Sequence, residues 1–197
     1  MAKKYIVLHH SASADHGTLK NFDDIKRWHT QNNGWRDIGY NWVIERVNGK
    51  LMALPGRSEL EAGTHCPGRN TDGIGICIVG NFQETVPSEE LYLFVADLCK
   101  QIMTRHPIQE IGGHRDYAAT ACPGKNFDVG RVRKLINSDD RKPVECKINI
   151  KGKEFTGYLL GGVSYFDEAC KTPVKEVVQA IAPTIGWDGK TNVVTVK

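Results

Sequence analysis

Residues 112–124, GGHRDYAATACPG, constrain this chain more than any other stretch. They place an imidazole, His114, and a thiol, Cys122, in one loop that opens on a glycine pair and closes on Pro-Gly. That punctuation does not belong to a helix or a strand face. The spacing is too long for one helical face and too short for two separate elements, so the loop has to curl to bring both groups together. Imidazole and thiolate are the ligands that zinc favours. A Cys2His2 finger needs two close pairs, and only one wide pair is here. Two protein ligands cannot hold a metal firmly, so a third is expected elsewhere in the chain.

The run YIVL at 5–8 reads as a buried strand, and it ends at His9-His10-Ser11-Ala12-Ser13. Adjacent strand residues face opposite sides, so only one of His9 and His10 is expected to bind, and spacing does not choose between them. Either one, with His114 and Cys122, gives three ligands and an open fourth position, which is the arrangement of a catalytic rather than a structural zinc site. Such a site suits hydrolysis of an amide. Tyr40, at a strand start after a glycine, and Thr120 offer hydroxyls that could orient a water or meet an oxyanion. The irregular stretch 55–72 carries His65 and Asn70, which line a site or sit in solvent.

The rest of the chain supplies a frame. Residues 18–32 carry Phe22, Ile25, Trp28 and His29 at helical spacing, with His29 as a hydrogen-bonded packing residue. Residues 41–47 and 50–54 flank Asn48-Gly49, a strong hairpin signal. Residues 73–79 form another buried strand. Ser88 caps a helix running to about Arg105, with Leu91, Phe94, Val95, Leu98, Ile102 and Met103 as its buried stripe. A short strand at 108–111 feeds the His114 loop, and a closing helix spans 127–136. The polar stretch NSDDRKP at 137–143 marks a boundary. Beyond it, strands at 146–150, 154–160, 163–166 and 191–196 and a helix from Pro173 make a small α+β module at 144–197.

Charge excludes one class. Residues 1–138 hold 17 basic and 15 acidic side chains and residues 139–197 hold 9 and 8, so neither part carries a nucleic-acid footprint. The six cysteines are too dispersed for a secreted disulfide scaffold. Cys77 and Cys99 lie in apolar runs and are expected as small buried hydrophobes; Cys66 stays open, as does pairing of Cys146 with Cys170. The N-terminus holds only four apolar residues after its lysines, too few for a signal-peptide core, and no run approaches a membrane span. The expectation is a protein made in the cytoplasm.

The set VLHHSAS (7–13), WHTQNNGWRDIGYNWVI (28–44), AGTHCPGRNTDGIGICIVGNF (62–82) and GGHRDYAATACPG (112–124) resembles the type 2 N-acetylmuramoyl-L-alanine amidases, a family that includes phage endolysins and peptidoglycan recognition proteins. The resemblance covers nearly all of 1–138, in the family's order. It implies an α/β (α+β) domain, a mixed sheet flanked by helices with one zinc ion in a groove. It implies His9 as the first ligand in place of His10, with His114 and Cys122 as the others. Tyr40 falls on the catalytic tyrosine, and His65 and Asn70 fall on residues that line the substrate groove. Thr120 stands where several phage and recycling members carry lysine, so it brings no positive charge. The implied partner is bacterial peptidoglycan, cut between N-acetylmuramic acid and L-alanine, after release from the cell by a holin. A non-catalytic wall receptor and a recycling enzyme for anhydro-muropeptides are the alternatives on the same scaffold. KINIKGKEFTGYLLGGVSYF and TIGWDGKTNVVTV in the tail resemble the copper amine oxidase N-terminal-like module, which implies a wall-targeting or homodimerising appendage.

Overall fold

The computed structural model describes residues 2–17 and 20–137 and, beyond them, strands at 144–150, 153–160, 163–165, 185–188 and 193–196. The chain divides into two compact units, Met1–Asn137 and Ser138–Lys197.

The first unit is built on a five-stranded sheet. Its strands are β1 (Tyr5–His10), β2 (Trp42–Val47), β3 (Lys50–Pro55), β4 (Gly73–Ile78) and β5 (Glu110–Gly113), in the spatial order β3-β2-β4-β1-β5. β1 runs parallel to both β4 and β5, and β2 runs parallel to β4; only the β2–β3 hairpin is antiparallel. The two central strands are covered on both faces, which is why their sequences are nearly continuous apolar runs rather than alternating ones. The hairpin turn at Asn48-Gly49 has both residues at positive φ, 51° and 79°, the backbone of a type I′ turn.

Three helices cover the sheet: α1 (Lys20–Arg27), α2 (Glu89–Met103) and α3 (Val129–Asn137). Ile6, Leu8, Ile74, Ile76 and Ile78 point to one face and pack with Val95, Ala96, Cys99 and Ile102 of α2 and Val132 of α3. On the opposite face Val43, Cys77 and Val79 pack with Ile38, and Phe22, Ile25 and Tyr40 close over them. The result is a mixed sheet between helical layers.

The helix expected over 18–32 is shorter and ends differently. After Arg27 the backbone widens into a π-helical turn, Trp28–Asn32, closed by Asn33 N–H donating to Trp28 O at 3.2 Å. Thr30 Oγ1 donates back to Lys26 O at 2.9 Å, a contact that opens a helix. His29 is seated by accepting Gly39 N–H at Nδ1, 3.0 Å, with its ring against Trp35. On α2, Ser88 Oγ accepts Leu91 N–H at 3.2 Å as the N-cap. Met103, expected in the buried stripe, is exposed at the last position of that helix. α3 begins two residues later than expected, because Asp128 Oδ1 caps Arg131 N–H while Phe127 buries its ring against Phe82 and Tyr92.

The second unit also contains a sheet. β6 (Val144–Ile150), β7 (Lys153–Leu160), β8 (Val163–Tyr165), β9 (Ile185–Asp188) and β10 (Val193–Val196) lie in the order β8-β7-β6-β10-β9. β6 pairs with β10 in parallel, and the other pairs are antiparallel. Ile185–Asp188, assigned to no element in the sequence, is itself a strand. The helix expected from Pro173 and the thiol of Cys170 lie outside the described residues.

Candidate metal centre and active site

The candidate site forms at the carboxyl ends of the parallel strands, where side chains leave the sheet without an opposing strand to cover them. β1 ends in His9-His10, and the pleat sends the two rings apart. His10 faces the α2 side: its Nδ1 accepts Phe82 N–H at 3.2 Å and its ring stacks on Phe82. His9 faces the α1 side and is 1% exposed. Its strand neighbour in register is Cys77. Along β4 that face carries only Gly75 and Cys77 next to His9. These small side chains leave room for two rings beside His9, those of Tyr40 and His65, whose centroids lie 5.2 and 5.1 Å away.

β5 delivers the other two groups. It stops at Gly113, and His114 opens a short 3-10 turn, His114–Asp116, whose capping residue is fixed by Asp116 Oδ2 accepting Gly113 N–H at 2.8 Å. The loop then folds back. Arg115 N–H donates to Cys122 O at 2.8 Å, and the guanidinium donates to Gly124 O at 2.7 Å and Phe127 O at 2.9 Å. Arg115 thus ties the far end of the loop to its start, and Cys122 returns beside His114. A side chain at Gly113 would meet Pro123 Cδ at 2.8 Å, so glycine is needed for this return.

The ligand atoms of His9, His114 and Cys122 lie within 4.8 Å of one another, making a group able to hold a metal ion among the described residues. His9 Nδ1 is 3.7 Å from Cys122 Sγ, and the His9 and His114 rings are 4.5 Å apart. His114 Nε2 is buried and has no hydrogen-bond partner among the described residues, an orphan that a ligand would satisfy. Cys122 Sγ also accepts the His10 backbone N–H at 3.4 Å. Burial, with the neighbouring His65, His114 and His10, holds His9 well below the usual imidazole range, and burial lowers His114 too. Both rings are therefore neutral and keep a lone pair to offer. Burial pushes the Cys122 thiol up to about 11, against the His10 N–H and Arg115, which favour the thiolate.

A cavity of about 490 Å³ opens over this group, lined also by Tyr40, His65, Asn81, Gln83 and Thr120. Burial, together with Cys77 and Cys122, raises the Tyr40 phenol well above its ordinary value. Tyr40 is thus a neutral hydrogen-bond donor at all physiological pH. Thr120 is exposed at the cavity rim, where Oγ1 accepts Cys122 N–H at 3.3 Å.

The family model described as N-acetylmuramoyl-L-alanine amidase matches residues 1–125. This chain belongs to that amidase family. The endolysin of Enterobacteria phage T3 is 32% identical over 126 residues, 59% of this chain and 78% of the phage protein. The N-acetylmuramoyl-L-alanine amidase of Homo sapiens is 33% identical over 117 residues, 57% of this chain but only 20% of the human protein. Among solved structures, the amidase LysC of Clostridium intestinale aligns with a TM-score of 0.59 at 27% identity, covering 71% of this chain and 88% of LysC. Bumblebee PGRP-SA aligns with a TM-score of 0.59 at 26% identity, over 70% and 82%. The amidase is accordingly a hydrolase of cell-wall degradation. The family match stops before the second unit and lends no support to the copper amine oxidase resemblance of the tail.

Two residues of the amidase's loop at 55–72 separate in role. His65 lines the cavity. Asn70 turns inward: its Oδ1 accepts the backbone N–H of His65 at 2.8 Å and of Cys66 at 2.9 Å, so it shapes the loop, and it does not line the cavity. The sequence reading missed Arg115, Asn81 and Gln83. Arg115 could have been sought as the group that closes a loop between two ligands; Asn81 and Gln83 follow the buried strand 73–79 and carried no periodic signal. Among the described residues no helix is long and apolar enough to cross a membrane.

Proposed function

We propose that the amidase is zinc-dependent, acts as an endolysin, and hydrolyses the amide between the lactyl group of N-acetylmuramic acid and L-alanine of the stem peptide. The observation that carries this reading is the convergence of His9, His114 and Cys122 on one point beneath an open cavity. For tetrahedral zinc with bonds of about 2.0 Å to nitrogen and 2.3 Å to sulfur, the N···S separation is roughly 3.5 Å. The 3.7 Å between His9 Nδ1 and Cys122 Sγ fits that value. The donor set fits as well, two neutral imidazoles and a sulfur that already accepts a backbone N–H. Held there, zinc would supply a water acidic enough to deprotonate near neutral pH and would polarise the scissile carbonyl.

The chain's own residues do the rest. The sheet edge and the 114–124 loop leave the fourth side of the group open to the cavity, where the amide enters. Tyr40 stays protonated and donates to the oxygen on which negative charge grows. Thr120 provides a neutral hydroxyl at the rim. No lysine accompanies it there, so the phenol carries more of the charge stabilisation. The phage assignment draws on the T3 endolysin likeness, which spans most of that protein.

Digestion of purified sacculi tests the reading. Mass spectrometry of the soluble fraction should find free stem peptides starting at L-alanine, with glycan strands left intact. New reducing sugar ends, or peptides cut within the stem, would overturn it.

A further inference from the structure

His9 has two ring nitrogens and a separate neighbour for each. Nδ1 faces Cys122 Sγ at 3.7 Å, and Nε2 lies 3.1 Å from His65 Nδ1. The His65 ring is held unusually tightly. A methyl group on Gly63 would meet its Cδ2 at 2.4 Å, and one on Gly75 would meet the same atom at 2.5 Å. The ring therefore sits in a slot between two glycines, one from the loop and one from the middle of β4. Asn70 fixes the backbone that carries it, and the buried Lys3 ammonium fastens the same loop by donating to the carbonyls of Glu61, Thr71 and Gly73. His65 Nε2 is buried with no hydrogen-bond partner among the described residues. A ring so confined cannot adapt to a mobile polymer, but it can hold one hydrogen bond in place.

We infer that His65 is a positioning residue for His9, accepting the His9 Nε2 proton so that the Nδ1 lone pair is left for the metal. The inference rests on the zinc reading of the site and deepens it. A neutral imidazole carries one proton on one of two nitrogens. Were it on Nδ1, His9 would point an N–H at the ion and could not ligate. An acceptor at Nε2 selects the other tautomer in advance, the service that a carboxylate or carbonyl often gives a zinc-bound histidine; for His65 to serve so, its own proton sits on Nε2. Here a second histidine does it without adding charge. The two glycines that allow this, Gly63 and Gly75, are therefore part of the metal site although neither can bind a metal through a side chain.

The test uses the full chain stripped of metal, with zinc affinity measured by competition against a chromophoric chelator and ring 15N shifts recorded for His9. Wild-type His9 should carry its proton on Nε2 before zinc is added. His65→Leu fills the slot without an acceptor and should weaken zinc binding by roughly 10–100-fold, the scale for losing such a partner. His65→Asn sets a carbonyl oxygen near the place of Nδ1 and should recover most of that loss. Gly75→Ala, which displaces the ring while leaving it chemically intact, should weaken binding in the same direction; melting of each zinc-free variant reports folding separately. Equal zinc affinity in His65→Leu and wild type, equal losses in the Leu and Asn variants, or a wild-type proton on Nδ1 would each overturn the inference. If the wild-type chain takes up no zinc at all, the metal reading itself falls and takes this inference with it.

Discussion

Arg115 is the residue whose loss should most plainly separate a fold that survives from a site that does not. Its guanidinium donates to Gly124 O at 2.7 Å and Phe127 O at 2.9 Å, closing the loop that brings Cys122 back to His114. Hydrogen bonds from a charged donor contribute ~1.5–3 kcal/mol each. Arg115 is half-buried, so solvent screening reduces the pair to about 2–4 kcal/mol in total. For a unit of this size that predicts a fall in melting temperature of roughly 8–15 °C in Arg115→Leu. Arg115→Lys should recover little, because a single ammonium cannot reproduce a planar fork directed at two carbonyls. The clamp meets the core only through the backbone carbonyl of Phe127, so the variant should still fold. Its thiol should be less well placed, and zinc affinity should fall by about tenfold or more, as for loss of other groups that orient metal ligands. Calorimetry of the zinc-free protein and a chelator-competition titration measure the two effects. If Arg115→Leu melts within a degree or two of wild type and binds zinc equally well, the loop is held by something else and the clamp argument is wrong.

Three further outcomes follow from named contacts. Tyr40→Phe should leave zinc bound and slow peptidoglycan turnover by roughly two or more orders of magnitude, the scale for losing an oxyanion donor; equal loss of zinc would make Tyr40 structural. Glu59 accepts from Arg105, from the Trp42 indole N–H and from His106, and although burial pushes its carboxyl up, these partners hold it below the usual range. Its stabilisation is therefore complete above the unfolded carboxyl value of about 4.3 and is lost as pH falls through the lower folded value, so Glu59→Gln should flatten the decline in stability between about pH 5 and 3. An unchanged acid profile would deny Glu59 that part. Lys3→Met leaves three carbonyls without their donor and should cost about 2–4 kcal/mol in denaturant unfolding, with faster amide exchange in the 61–73 segment; an unshifted midpoint would count against the buried ammonium as the loop's fastener.

The sequence disclosed the candidate ligands more readily than the machinery that aims them. His114 and Cys122 stand out because a loop bounded by Gly-Gly and Pro-Gly has no packing reason to hold them. The apolar runs of β1 and β4 are legible because strands covered on both faces need apolar residues throughout. The choice between His9 and His10 is not legible from spacing, since it depends on which face of the sheet α1 covers, a long-range matter. Nothing in the sequence sets Gly75 apart within its strand; only the packed structure shows its use, a histidine ring resting where its side chain would be. Asn70 reads as a groove residue; its carboxamide oxygen accepts two backbone N–H groups of its own loop, a shaping role that spacing does not reveal. The π-helical turn after Arg27 escaped the periodic pattern because a threonine hydroxyl, not an apolar spacing, produces it.

The central claim is that one divalent ion, gripped by His9, His114 and Cys122, makes this fold a hydrolase. The most direct measurement adds zinc stepwise to metal-free protein and follows the release of stem peptides from sacculi. Activity should start near zero, rise in proportion to added zinc and level off at one equivalent per chain. Full activity before any zinc is added would contradict the account.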